Sequence, residues 1–142
     1  MNTGTTVNKI KVVLDTNIII SALGFGGKPR VILQLVLNKN IKAVSSSVLL
    51  AELEDIIFKK FPLLADQFDK INKQIRKNFK LVKPKKSLHI LKDEPDSRVL
   101  EAAIEGKCEY IITGDKELLD LGSFKDLRIV TADDFLKLFA NS

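Results

Sequence analysis

Apolar positions along the chain fall into two alternating regimes, short β-branched runs and longer stretches with helical spacing. The runs at 10–14, 41–44, 110–113 and 127–130 are each bounded by polar or turn residues, the pattern of strands buried on both faces. Leu81-Val82 offers one more short strand. Residues 16–23 predict a short helix closed by Gly24. Val31, Ile32, Leu35 and Val36 then share one face of a helix for which Pro29 is suited as a first residue. Ser45-Ser46-Ser47 supplies N-caps for a helix reaching about residue 60. Pro62 opens a further helix in which Leu64, Phe68, Ile71, Ile75 and Phe79 recur at helical spacing. A helix from about 93 to 104 is expected to end on Gly106 as a left-handed C′ residue. A helical turn over 116–121 stops at Gly122, and Thr131 with Asp134 opens the last helix as a capping box with Asp in place of Glu or Gln. Strands alternating with helices predict a parallel sheet covered on both faces. The expected organisation is a disordered tail over 1–9 and one domain over 10–142.

Two of the strand runs end in an aspartate, at Leu14-Asp15-Thr16-Asn17 and Thr113-Gly114-Asp115. Ligands of open α/β sheets sit outside the carboxyl ends of the strands, so both carboxylates are candidates for a crevice. Glu52 has Val48 and Ile56 at i±4 and Leu49 at i−3, which turns it toward the apolar side of its helix, while Asp55 lines up with Lys59. Asp96 heads a stripe formed by Val99, Leu100, Ala103 and Ile104. Each has a structural alternative: Asp15 and Asp115 as N-caps, Glu52 in a buried salt bridge, Asp96 as a first-turn complement to the helix dipole. Four carboxylates in one crevice repel, each pair by about 4 kcal/mol at roughly 4 Å and an effective dielectric of about 20, so together they call for a cation. Oxygen donors alone point to Mg²⁺ or Mn²⁺.

Composition narrows the choice. The 142 residues are 45% hydrophobic and 29% charged, ordinary for a globular protein. One cysteine, Cys108, leaves no internal disulfide and suits a reducing cytoplasm, and no run approaches the length of a membrane span. The net charge of +5 is unevenly spread: residues 59–92 hold 11 Lys/Arg and 2 Asp, the rest 12 Lys/Arg and 16 Asp/Glu. Lys70, Lys73, Lys77 and Lys80 follow one another at i, i+3, i+7 and i+10 with Arg76 nearby, a basic face suited to a polyanion. A single histidine, His89, and the absence of Gly-x-Ser-x-Gly speak against a Ser-His-Asp hydrolase. One Cys and one His do not make the usual zinc site, and Gly24-Phe25-Gly26-Gly27 is neither a dinucleotide fingerprint nor a P-loop.

Val-Val-Leu-Asp15-Thr16-Asn17, the Glu52 helix, Asp93-Glu94-Pro95-Asp96-Ser97 and Thr113-Gly114-Asp115-Lys116-Glu117-Leu118-Leu119 resemble, in order and spacing, a PIN-domain nuclease. The similarity is greatest to the prokaryotic PIN-family toxins (VapC-like ribonucleases) of toxin–antitoxin systems, and it spans about residues 11–139. The resemblance implies a Rossmann-like three-layer α/β/α sandwich with a central parallel sheet. It implies Asp15, Glu52, Asp96 and Asp115 as the catalytic, metal-binding quartet, supported by Thr16, Asn17, Asp93, Ser97 and Thr113. Ser97 departs from the family, which commonly has Asn there. It further implies Mg²⁺ or Mn²⁺, an RNA substrate, a small antitoxin protein and a homodimer; a cytoplasmic location without membrane association is the expectation from the lone cysteine and the short apolar runs.

On this reading a metal-activated water hydrolyses a phosphodiester, and Lys70, Lys73, Arg76, Lys77 and Lys80 neutralise flanking phosphates. Two other classes fit parts of the pattern. A phosphohydrolase with Asp15 as nucleophile would need a second Asp where Asn17 stands. A metal-stabilised module that binds RNA or protein without catalysis would keep the acidic site and lack turnover.

Overall fold

Val12, Val13 and Leu14 are all buried, which requires a sheet covered on both sides, and that is the architecture of the computed structural model. The structure describes residues 9–85, 87–88 and 94–141. In chain order the elements are β1 (Lys11–Leu14), α1 (Thr16–Gly24), α2 (Gly27–Leu37), β2 (Lys42–Ser46), α3 (Ser47–Lys60), α4 (Pro62–Ala65), α5 (Phe68–Asn78), β3 (Lys80–Val82), α6 (Glu94–Glu105), β4 (Tyr110–Ile112), α7 (Lys116–Leu121), β5 (Ser123–Phe124), β6 (Leu127–Val130) and α8 (Ala132–Ala140). The strands form one sheet in the order β3-β2-β1-β4-β6-β5.

All pairings are parallel except β5 with β6, where Ser123 faces Arg128 and Phe124 faces Leu127. The sheet is therefore mixed at one edge, and β5 is an element that periodicity does not reveal. Its two residues follow Gly122, whose φ of 73° turns the chain back after α7, and Lys125 at φ 56° closes the hairpin. Two residues are too few to show alternation.

One face of the sheet packs Val12, Leu14, Ala43, Ile112 and Val130 against α1, α2, α3, α5 and α8, with Phe135 fully buried among them. The other face packs Val13, Val44, Ile111 and Ile129 against α6 and α7. Three layers, helices–sheet–helices, follow. The α/β/α sandwich expected from the sequence is the fold observed.

Some local expectations need correction. The helix predicted from Pro62 to Phe79 is two helices, broken at Asp66-Gln67, and α5 ends at Asn78 because Phe79 is extended (φ −103°, ψ 145°). Lys80 thus opens β3 and is not the last rung of a helical stripe. Gly106 is not the left-handed residue that closes α6; Lys107 is, at φ 54°, and the N–H groups of Lys107 and Cys108 donate to Ile104 and Ala103. Gly106 answers to packing: a Cβ there would lie 2.7 Å from Val44 Cγ1. Pro29 sits in the third position of α2, which starts at Gly27. The tail over 1–8, His89 and Asp93 lie outside the described residues.

Candidate metal centre at the carboxyl ends of β1 and β4

The chain lays β2 and β3 on one side of β1, then β4 and β6 on the other, so the strand order reverses between β1 and β4. A crevice opens at such a switch point because the connections leave the two strand ends in opposite directions. The register pairs Leu14 with Ile112, which places Asp15 and Thr113 side by side as the next residues along their strands. The Asp15 N–H donates to the Ile112 carbonyl at 3.0 Å and fixes the two backbones together.

Asp15 occupies the N-cap position of α1, yet its side chain makes no capping hydrogen bond. Its backbone carbonyl starts the helix by accepting from Ile18 and Ile19. The carboxylate is instead engaged by Thr113, whose hydroxyl donates to Oδ2 at 2.7 Å. Thr113 is fully buried and its Oγ1 accepts from the Asp115 N–H at 2.9 Å, so Asp115, Thr113 and Asp15 form one relay. The capping alternative for Asp15 is thereby excluded. It holds for Asp115, whose Oδ2 accepts from Leu118 N–H at 3.1 Å at the start of α7.

Asp96 is buried in the first turn of α6, ahead of buried Val99, Leu100 and Ala103, as its spacing predicts. Ser97 beside it is buried too, and α6 packs against β1, β2, β4 and α3. Glu52 is half-buried at the margin of α3, whose core residues are Leu49, Leu50, Leu53 and Ile57, while Asp55 pairs outward with Lys59 at 3.0 Å. The start of α3 is set by Ser46, whose hydroxyl accepts from Leu49 N–H. Thr16 is buried and Asn17 is exposed at the start of α1.

The carboxylates do not stand as a closed cage. Among the described residues no group of three His, Cys, Asp or Glu side chains lies close enough to hold a metal ion in common. The donor set still fits a hydrated Mg²⁺ or Mn²⁺, because Mg²⁺ keeps several waters and takes one or two carboxylates directly. Asp15, buried and oriented by Thr113, is the best-prepared of the four.

Two features escaped the periodicity. Glu101 is buried on α6, where Arg98 Nε lies 3.0 Å from one carboxylate oxygen and Leu88 N–H donates to the other at 2.7 Å, so it ties the segment before α6 to the helix that carries Asp96. Its signal was a carboxylate inside the apolar stripe with an arginine at i−3. The second is the placement of the basic residues. Lys70, Lys73, Arg76, Lys77 and Lys80 are all exposed, but Lys77 and Lys80 line a cleft at the amino ends of the strands, across the sheet from Asp15.

Comparison with known proteins agrees with this architecture. The family profile described as PIN domain matches residues 11–117, which takes in Asp15, Glu52, Asp96, Thr113 and Asp115. The uncharacterized protein MJ1680 of Methanocaldococcus jannaschii is 33% identical over 118 residues, 80% of this chain and 76% of that protein. A chain in the crystal structure of VapBC2 from Rickettsia felis, bound to a DNA fragment from their promoter, matches 84% of this chain and 97% of its own length. Its TM-score is 0.60 at 18% identity, a likeness of fold. The chain belongs to the PIN-domain family.

Proposed function

We propose that this protein is a metal-dependent endoribonuclease that hydrolyses phosphodiester bonds, and that it serves as the toxin of a toxin–antitoxin pair. The observation that carries the reading is the buried Asp15, placed at a helix start and held by the Thr113 hydroxyl instead of capping α1. A carboxylate committed to capping would serve the helix alone; one held aside by a buried threonine is oriented for another ligand.

Asp15, Glu52, Asp96 and Asp115 would hold the cation. A bound Mg²⁺ or Mn²⁺ supplies an acidified water and offsets charge on the phosphoryl oxygens. Thr113 holds one Asp15 oxygen and Leu118 N–H one Asp115 oxygen, so neither carboxylate needs to reorganise when a phosphodiester arrives. We assign supporting roles to Ser97, next to Asp96 in sequence, and to Thr16 and Asn17, next to Asp15. Lys70, Lys73 and Arg76 on α5 attract the strand by charge and carry little base preference, since the chain has no Trp and only 6% aromatic residues. The partner we propose is a small antitoxin that covers the acidic crevice, in analogy with the VapBC2 pair, and the oligomer a homodimer.

The test is cleavage of a labelled single-stranded RNA with Mn²⁺, Mg²⁺ and EDTA, alongside thermal denaturation. We expect cleavage and a raised Tm with Mn²⁺, both lost in Asp15→Asn. Equal thermal stability in EDTA and excess Mn²⁺, with no cleavage, would remove the reading. Co-expression with the adjacent reading frame followed by pull-down tests the antitoxin, and recovery of the chain alone would leave a stand-alone nuclease.

A further inference from the structure

A cleft of about 410 Å³ lies at the rim of the sheet opposite Asp15, where the strands begin. Lys11, Lys42 and Lys80 are the first residues of β1, β2 and β3. Register pairs Lys11 with Lys42 and Val44 with Lys80, and side chains alternate between faces, so these three lysines share one side of the sheet. Lys9, Lys39 after α2, and Lys77 at the end of α5 complete the rim.

Six lysines thus surround one cleft, and no acidic residue lines it. Among the described residues the ion pairs of the structure lie elsewhere, on Lys28, Lys59, Arg98, Lys116 and Lys137. Glu109 accepts from the backbone N–H of Lys11 at 3.4 Å. Five of the six lysines are exposed and Lys11 is half-buried. Like charges gathered without internal partners raise the local potential and favour a polyanion over any small monovalent anion.

We propose that this lower cleft is a second phosphate-binding site, which anchors the backbone of a single-stranded RNA at a distance from the acidic crevice. The choice of RNA among polyanions rests on the nuclease reading; the site itself rests on the lysines. The distance suits a linear ligand. A strand of four residues such as β1 spans roughly 13 Å from rim to rim. Helix α5 returns the chain to the start of β3, and its 11 residues cover roughly 16 Å. Lys70, Lys73 and Lys77 at i, i+3 and i+7 descend its exposed side toward the cleft and would carry phosphates between the two rims. No exposed aromatic ring lines the cleft, since Phe79 is buried, so contact there is to phosphates and blind to base identity.

The experiment compares the full chain with the triple variant Lys9→Gln, Lys39→Gln, Lys42→Gln. Fluorescence anisotropy of a 20-nucleotide oligouridylate, in EDTA so that nothing is cleaved, is read across a salt titration. Each phosphate contact to a single strand adds about −0.7 to the log–log slope, so loss of three contacts should make the variant's slope shallower by about 2 and spare roughly 20-fold of the affinity the parent loses from 50 to 200 mM salt. With Mn²⁺ present, it should raise KM for the 20-mer and leave unchanged a dinucleotide substrate, whose single phosphodiester cannot occupy the crevice and the cleft at once. An unchanged slope overturns the site. Tighter binding of polyglutamate than of RNA to the parent, abolished in the variant, overturns the ligand and assigns the cleft to an acidic protein segment. Loss of slope without any cleavage of either substrate keeps the site and removes the nuclease reading instead.

Discussion

Replacing Thr113 with valine isolates the contact on which the site depends. Valine keeps the β-branched shape and nearly the volume of threonine, so no cavity opens and the strand preference is retained. What disappears is one hydroxyl with two partners. The bond to Asp15 Oδ2, 2.7 Å long between buried groups, is of the charge-assisted kind and contributes about 1.5–3 kcal/mol. The bond from Asp115 N–H, 2.9 Å and partly buried, contributes about 1 kcal/mol. The expected loss is therefore about 2.5–4 kcal/mol. With a urea m-value of about 2 kcal/mol/M, the unfolding midpoint should fall by about 1–2 M at unchanged slope. Thr113→Ser keeps both hydrogen bonds and gives up one buried methyl, which costs about 1 kcal/mol and a midpoint shift of roughly half a molar. The order parent, serine, valine is the prediction. If valine unfolds at the parent's midpoint, or serine is as damaged as valine, the hydroxyl does not hold Asp15 and the orientation argument for the site fails. Mn²⁺-dependent stabilisation, measured on the same variants, should survive in Thr113→Ser and shrink in Thr113→Val.

Asp96→Asn should lower single-turnover cleavage by orders of magnitude while RNA binding, followed by anisotropy, stays equal or tightens slightly, because a negative charge near the phosphates is removed. Gly106→Ala should destabilise by about 1–3 kcal/mol, since its Cβ meets Val44 Cγ1 at 2.7 Å and Cγ2 at 3.1 Å; Val44→Ala in the same chain should recover part of that loss in thermal denaturation. Burial pushes the Cys108 thiol up to about 12 from 9.0, with Lys11 opposing the shift and Glu109 adding to it. The native state then holds this proton after the unfolded chain has released it. Its contribution is complete below pH about 9 and is lost as pH rises from there toward about 12, so urea midpoints should decline over that window and decline less in Cys108→Ala. Below it, the native thiol should react with a disulfide reagent far more slowly than the unfolded one, and equal rates would refute the burial argument.

The positions of the candidate carboxylates on their strands and helices were legible in the chain because their determinants are local. A strand end, a helix face and a capping position each follow from residues within one turn or one strand, which is why Asp15, Asp96 and Asp115 stand out by spacing alone. The same local rules gave the N-cap of α8, where Thr131 accepts from Asp134 N–H, and the extent of α7 and β6. Sequence left open which role each carboxylate plays, since an N-cap and a ligand have the same address. Only the pairing of β1 with β4 decided that Asp15 is held by a threonine 98 positions away while Asp115 caps its helix. The break between α4 and α5, and with it the transfer of Lys80 to a strand, depended on where β3 had to pair with β2. The lysine cleft was invisible for the same reason. Lys9, Lys11, Lys39 and Lys42 fall outside the lysine-rich segment of the chain and count toward its acidic remainder, and they meet Lys77 and Lys80 only because parallel strands begin at one rim. Local spacing sets the face a side chain turns to, and strand order sets which distant charges share a surface.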